Sequence, residues 1–188
     1  MVIKAKHIIV TFVFIAIAII GFFGVKIGIN KVQKSIYKIE YSELVNQYAE
    51  EYDLDPYFIY AVIKTESNFQ ADAESNVGAR GLMQVMSNTF DWVNTKIKSP
   101  DTTFDDMYNP EDNIRYGGYL LSYLVNEFDN YEASLAAYHA GRTAVNNWLK
   151  DSAYSSDGKT LDTIPISDTA HYVGKVMKNY KMYQKLYQ

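Results

Sequence analysis

Glu66 is the residue of this chain best placed to move a proton. It lies one residue from the end of the segment DPYFIYAVIKTES (55–67), which reads as a helix. Asp55 can cap its start, and Pro56 suits the first helical position, where a missing N–H costs nothing. Ile59, Val62 and Ile63 recur at helical spacing on one apolar stripe, and Glu66 is the next member of that stripe. A carboxyl group on a buried helix face is expensive to ionise. Desolvation raises its pKa, and the group becomes a proton donor near neutral pH. The plainer reading is that the helix ends at Ser67 and Glu66 turns to water.

The elements around Glu66 all read as helices or loops. Ser42 is the expected cap of a helix whose apolar face is Leu44, Val45 and Tyr48. After the Glu66 helix comes a small, polar loop, NFQADAESNVGARG, in which Gly78 and Gly81 permit tight turns. LMQVM and SNTFDWVNTKI read as short helices, and SPDTTFDDMY as irregular. Asn109-Pro110 opens a longer helix through Ile114, Leu121 and Phe128; its Gly117-Gly118 pair implies close approach of another element. YEASLAAYHAG is a helix stopped by Gly141, TAVNNWLK another, and DSAYSSDGKTLDTIP a loop. Ser167 is the expected cap of the last helix, where Tyr172, Val173, Val176 and Tyr180 share a face. Neither strand alternation nor a hairpin dipeptide between apolar runs competes, so the class is all-α.

At the N-terminus, IIVTFVFIAIAIIGFFGV (8–25) carries no charge and only Thr11 as a polar residue. Its length is at the short end for a bilayer span. No small-x-small cleavage site follows, so the expectation is a retained signal anchor after a short tail (1–7). A lysine-rich spacer (26–40) then leads to the domain at 41–188. Lysines flank the span on both sides, so they do not set its orientation.

Composition narrows the chemistry. Residues 1–38 hold six lysines and no acid, which leaves 12 basic against 22 acidic side chains beyond them. So acidic a domain is a poor nucleic-acid binder. The chain has no cysteine, and its three histidines (His7, His139, His171) show no metal-ligand spacing, so neither metal nor cofactor is expected. Tyrosine supplies 17 residues; its apolar face and polar tip suit carbohydrate, and equally suit helix packing.

Five blocks, in order, resemble those of the lytic transglycosylases of the soluble-lytic-transglycosylase type, from about Tyr41 to Tyr183. AVIKTES (61–67) resembles the block of the catalytic glutamate, and GARGLMQVM (78–86) the Gly-Leu-Met-Gln block. NPEDNIRYGGYL (109–120) resembles the following helix start, LAAYHAG (135–141) an Ala-Tyr-Asn-Ala-Gly block, and DTAHYVGKV (168–176) a Glu-Thr-Arg-x-Tyr-Val block. Two departures stand out: His139 replaces Asn, and Asp168 and Ala170 replace Glu and Arg.

The resemblance implies a lysozyme-like helical domain that cleaves the β-1,4 bond between N-acetylmuramic acid and N-acetylglucosamine in peptidoglycan, closing a 1,6-anhydro ring. It implies Glu66 as general acid and then base. Because the substrate supplies its own nucleophile, one carboxyl suffices where most glycosidases need two. Substrate contacts are expected from Ser67, Met83, Gln84, Tyr138, His139 and Tyr172, with the Tyr138 hydroxyl pointing at Glu66. Ser67 could equally be a helix cap, Met83 a core filler, and Tyr138, Tyr172 and His139 packing residues. The partners implied are glycan strands and, through the N-terminal helix, the cell membrane, with the domain facing the wall. Two other functions are compatible with these residues. A muramidase would need Asp168 or Glu74 as a second carboxylate; an inactive wall-binding scaffold would have little use for Glu66.

Overall fold

The structure is a computed structural model; it describes the backbone of residues 2–188 and the side chains of residues 10, 12 and 19–188. Its contacts divide the chain into two units, 1–38 and 39–188. The first consists of helix α1 (Val2–Ile36), continuous through most of the expected spacer. Half of the expected membrane span, 8–25, lies outside the described side chains. Among described residues, no helix is long and apolar enough to cross a membrane.

The second unit is all-α, as expected. Its helices are α2 (Ser42–Glu51), α3 (Pro56–Glu66), α4 (Ser87–Ile97), α5 (Pro110–Phe128), α6 (Tyr131–Ala140), α7 (Arg142–Lys150) and α8 (Ser167–Tyr187), with a 3-10 turn at Phe104–Tyr108. The only β-pairing among the described residues is the isolated bridges of Arg80 to Glu74 and to Val85.

Helix α3 is the centre of this unit, and its start follows from its sequence. Asp55 Oδ1 accepts the Tyr57 N–H at 2.8 Å, with Pro56 at the first turn. Asp55 Oδ2 also accepts the Tyr180 hydroxyl at 2.6 Å, so one carboxylate caps α3 and ties it to α8. The apolar face is wider than a stripe: Phe58, Ile59, Tyr60, Ala61, Val62 and Ile63 are all buried. Each large side chain among them contributes about 2 kcal/mol by leaving water. Helix α8 packs along α3 and α6; Tyr183 stacks on Tyr60 at 5.5 Å, and Tyr180 meets Phe58 edge-on. A second apolar cluster, built on Phe90, Val93, Met107 and Tyr116, joins α4, the 3-10 turn and the start of α5.

Four local expectations are corrected. Ser42 and Ser167 are first helical residues, not caps: Tyr41 and Ile166 hold the cap positions, without a side-chain cap bond. LMQVM is a turn ending in the Arg80–Val85 bridge, because Gln84 sits at φ 50°, in a left-handed conformation that ends any helix. SPDTTFDDMY is not wholly irregular: Thr103 and Asp106 form a capping box that starts its 3-10 turn.

The glycine pair of α5 makes the expected close approaches. A methyl group on Gly117 would lie 2.7 Å from Met83 Cβ and Sδ, and one on Gly118 would press on the Tyr52 ring.

Candidate active site

Glu66 is the last residue of α3, partly exposed at the lip of the core. The buried helix behind it withdraws water from its carboxyl group, and this burial pushes the pKa up to about 7. Two groups from α8 oppose the rise: the Tyr172 hydroxyl donates to Glu66 Oε1 at 2.7 Å, and the Lys175 ammonium lies within Coulombic reach. Burial prevails over both, so Glu66 is poised to hold a proton near neutrality and to release it without a large penalty.

The carboxyl group faces a cleft of about 560 Å³ whose lining includes Lys64, Gln70, Glu74, Gln84, Lys175 and Asn179. A second hollow of about 280 Å³ has Trp92, Tyr123, Tyr138 and Arg142 in its wall.

The roles of the expected site residues divide. Glu66 and Gln84 line the same cleft. Gln84 reaches it because its backbone is left-handed, and its side-chain amide donates to the carbonyls of Gly81 and Ala73 at 3.0 and 3.1 Å, which stiffens the loop. Ser67 also lines the cleft, but its hydroxyl donates to the Leu82 carbonyl at 2.8 Å and accepts the Phe69 N–H at 3.1 Å. It is nearly buried and pins the loop to α3; Glu66 is not its partner.

Met83 is fully buried against Gly117, so its side chain fills the core and lines neither hollow. Its carbonyl accepts the Tyr138 hydroxyl at 2.7 Å. Tyr138, expected to point at Glu66, lies near enough to feel its charge but gives its hydroxyl to that carbonyl; the hydroxyl bonded to Glu66 belongs to Tyr172. Both phenols stay firmly protonated, because burial first and then the neighbouring Glu66 charge raise their pKa values. Towards Glu66, Tyr172 is therefore a donor. His139, on the exposed side, stacks on the Tyr172 ring.

Other members of the site had a fainter signal. Tyr172, Lys175 and Asn179 recur three and four residues apart, which puts them on one face of α8. Asn179 donates to the Thr65 hydroxyl at 2.9 Å beside Glu66. Asn113, fully buried, accepts the Met83 N–H and donates to the carbonyls of Arg80 and Met107, all within 2.8 Å. A polar residue one place before the apolar Ile114, on the inward face of α5, is the mark that could have exposed it.

Of the two carboxylates nominated as partners of Glu66, Glu74 shares its cleft, yet it is already engaged. Its Oε2 accepts the Tyr108 hydroxyl at 2.6 Å, and its Oε1 faces Arg80 Nε at 3.8 Å. Asp168 is exposed at the start of α8, near His139. No cluster of metal-binding side chains is present among the described residues.

Residues 43–161 match the family model of the transglycosylase SLT domain. The soluble lytic murein transglycosylase of Salmonella typhimurium is 32% identical over 144 residues, covering 75% of this chain and 22% of that protein. The membrane-bound lytic murein transglycosylase C of Yersinia pestis is 29% identical, over 88% of this chain and 52% of its own length. Among solved structures, an inactive mutant of the lytic transglycosylase Slt from Pseudomonas aeruginosa superposes with a TM-score of 0.71 at 32% identity, covering 80% of this chain and 25% of that one. The soluble lytic transglycosylase SLT70 of Escherichia coli gives a TM-score of 0.72 at 27% identity, over 81% of this chain and 25% of its own. This chain thus spans about a fifth of the length of the soluble relatives it matches. With its family model matched over more than half its length, the chain belongs to the transglycosylase SLT domain family.

Proposed function

We propose that this protein is a peptidoglycan lytic transglycosylase that cleaves the MurNAc-β-1,4-GlcNAc bond and leaves a 1,6-anhydro-MurNAc end. The observation that carries this reading is Glu66: one carboxyl group with its pKa near 7, held by Tyr172, beside a second carboxylate already engaged by Tyr108 and Arg80. In the first step the Glu66 proton passes to the glycosidic oxygen as the C1–O bond breaks. In the second, the Glu66 carboxylate takes the proton of the C6 hydroxyl while that oxygen bonds to C1. No water is consumed, and Glu66 ends as it began. The Tyr172 hydroxyl stabilises the carboxylate between the two steps and fixes which oxygen carries the proton. Hydrolysis would require a second carboxylate to position water; Glu74 in the same cleft is turned towards Tyr108 and Arg80. Family membership and relatives named as murein transglycosylases support the same reading.

We further infer that α1 anchors the protein in the cell membrane as a single pass, with the 39–188 unit facing the wall. Supporting this are the uncharged run at 8–25, the exposed Ile19, Ile20, Phe22 and Phe23 on α1, and a relative named as membrane-bound.

Digestion of purified peptidoglycan followed by mass spectrometry tests the reaction. Anhydro-muropeptides are the expected products. Reducing ends would replace the proposal with a muramidase, and binding without products would replace it with a scaffold. For the anchor, the full chain is expected to stay with membranes after carbonate washing, while residues 39–188 alone are soluble and retain activity; release of the full chain by carbonate would refute it.

A further inference from the structure

The position at which the Ala-Tyr-Asn-Ala-Gly block departs from its usual sequence touches the partner of Glu66. His139, at the C-terminal end of α6, stacks on the Tyr172 ring with centroids 4.6 Å apart and planes 30° apart. Its Nδ1 shares a hydrogen bond of 3.1 Å with Thr169 Oγ1, one turn before Tyr172 on α8. Thr169 is buried, so the imidazole is held at its edge by a fixed hydroxyl and along its face by the phenol. The Tyr172 ring in turn has its hydroxyl on Glu66 Oε1. An asparagine could replace the bond to Thr169 but offers no ring to lie against the phenol.

We propose that His139 is a positioning residue: its ring holds the Tyr172 phenol in register with Glu66, and so governs how well the acid is set for proton transfer. The proposal rests on Glu66 being the catalytic acid. It assigns His139 a role through Tyr172, in place of direct contact with the glycan. Partial desolvation lowers the imidazole pKa, against the opposing pull of the Asp168 charge. Besides His139, the charged and titratable groups around the Tyr172–Glu66 pair are Lys175 and Asp168 from α8, Tyr138 from α6, Lys64 from α3 and Glu74 from the loop after α3.

The sign of the effect follows from the geometry. The Tyr172 bond holds the Glu66 pKa down against burial. Loosening Tyr172 therefore raises that pKa and weakens the stabilisation of the carboxylate between the two steps. The experiment is steady-state kinetics of the full chain in detergent on purified glycan strands. It compares wild type with His139→Ala, His139→Asn, His139→Phe and, as a control, Glu66→Gln. An aromatic stack of ordinary strength corresponds to a change of about fivefold. His139→Ala and His139→Asn are expected to lower kcat about fivefold with KM within about twofold, and to move the alkaline limb of the pH profile up by about half a unit. His139→Phe, which restores a ring without the bond to Thr169, is expected to recover most of kcat and the wild-type limb. Three outcomes overturn the proposal: wild-type kinetics in His139→Ala and His139→Asn, a loss confined to KM, or failure of a folded His139→Phe to recover. If Ala proves unstable, the comparison of Asn with Phe decides. A fully active Glu66→Gln would instead remove the catalytic reading itself, whatever the His139 variants do.

Discussion

Glu66→Gln is expected to lose about 10³-fold or more in turnover and at the same time to gain stability. The two effects have one cause. A single carboxyl group performs both proton transfers in the proposed reaction, so an amide of the same shape can do neither. The native environment raises the Glu66 pKa from 4.5 to about 7, so between those values the folded state holds a proton that the unfolded state has given up. Stability linked to this group is full below pH 4.5 and is lost as pH rises towards 7. The amide of the variant carries no such charge and can still accept the Tyr172 hydroxyl. Allowing for the partial exposure of the carboxyl group, the variant should be about 1–2 kcal/mol more stable than wild type at pH 8, with the gap closing towards pH 4. Urea midpoints at the two pH values measure this. Wild-type kcat/KM should fall about tenfold per pH unit above 7, as the proton needed in the first step is lost. An unstable variant, or one as stable as wild type at both pH values, would mean that Glu66 is not held against its ionisation.

The readiness of Glu66 was legible in the chain because it depends on local facts. Asp55 and Pro56 start a helix by their own chemistry, and the period from Ile59 to Glu66 follows from the pitch of that helix. Asn109-Pro110 and Gly141 were readable for the same reason. What escaped depends on which distant element arrives. Ser42 and Ser167 have the chemistry of caps, yet the backbone enters each helix one residue earlier than they require. Which tyrosine hydroxyl bonds to Glu66 was not legible, because two tyrosines, on α6 and α8, converge on one carboxyl group. Which of them reaches it is decided by the Met83 carbonyl, which takes the Tyr138 hydroxyl. The turn at LMQVM looked helical because its residues are good helix formers; the left-handed Gln84 and the bridge from Arg80 to Val85 override that preference.

That turn is where the second large effect is expected. Met83 and Gln84 are set by a clamp between the loop and α5, and Asn113 is its centre. The Asn113 amide uses both faces: Oδ1 accepts from Met83 N at 2.7 Å, while Nδ2 donates to Arg80 O at 2.8 Å and Met107 O at 2.7 Å. Gly81 completes the fit. At φ 76° it sits where a side chain is strained, and a Cβ there would lie 2.1 Å from Met107 O and 2.2 Å from Asn113 Nδ2. Neither neighbour can retreat, since each is a member of the clamp. Gly81→Ala should therefore destabilise by about 3 kcal/mol or more. Asn113→Ala should cost about 2–4 kcal/mol, because it strips the Met83 N–H and the Met107 carbonyl of their Asn113 partner, while the Arg80 carbonyl keeps the Val85 N–H. Typical domains have about 5–15 kcal/mol in all, so either change takes a large share. Because both break the same clamp, the double variant should lose clearly less than the sum of the two single changes. Chemical denaturation of the four proteins gives the coupling directly. Full additivity would mean that Gly81 and Asn113 act on separate parts of the loop, and that the Tyr138 anchor on Met83 is held by something other than this clamp.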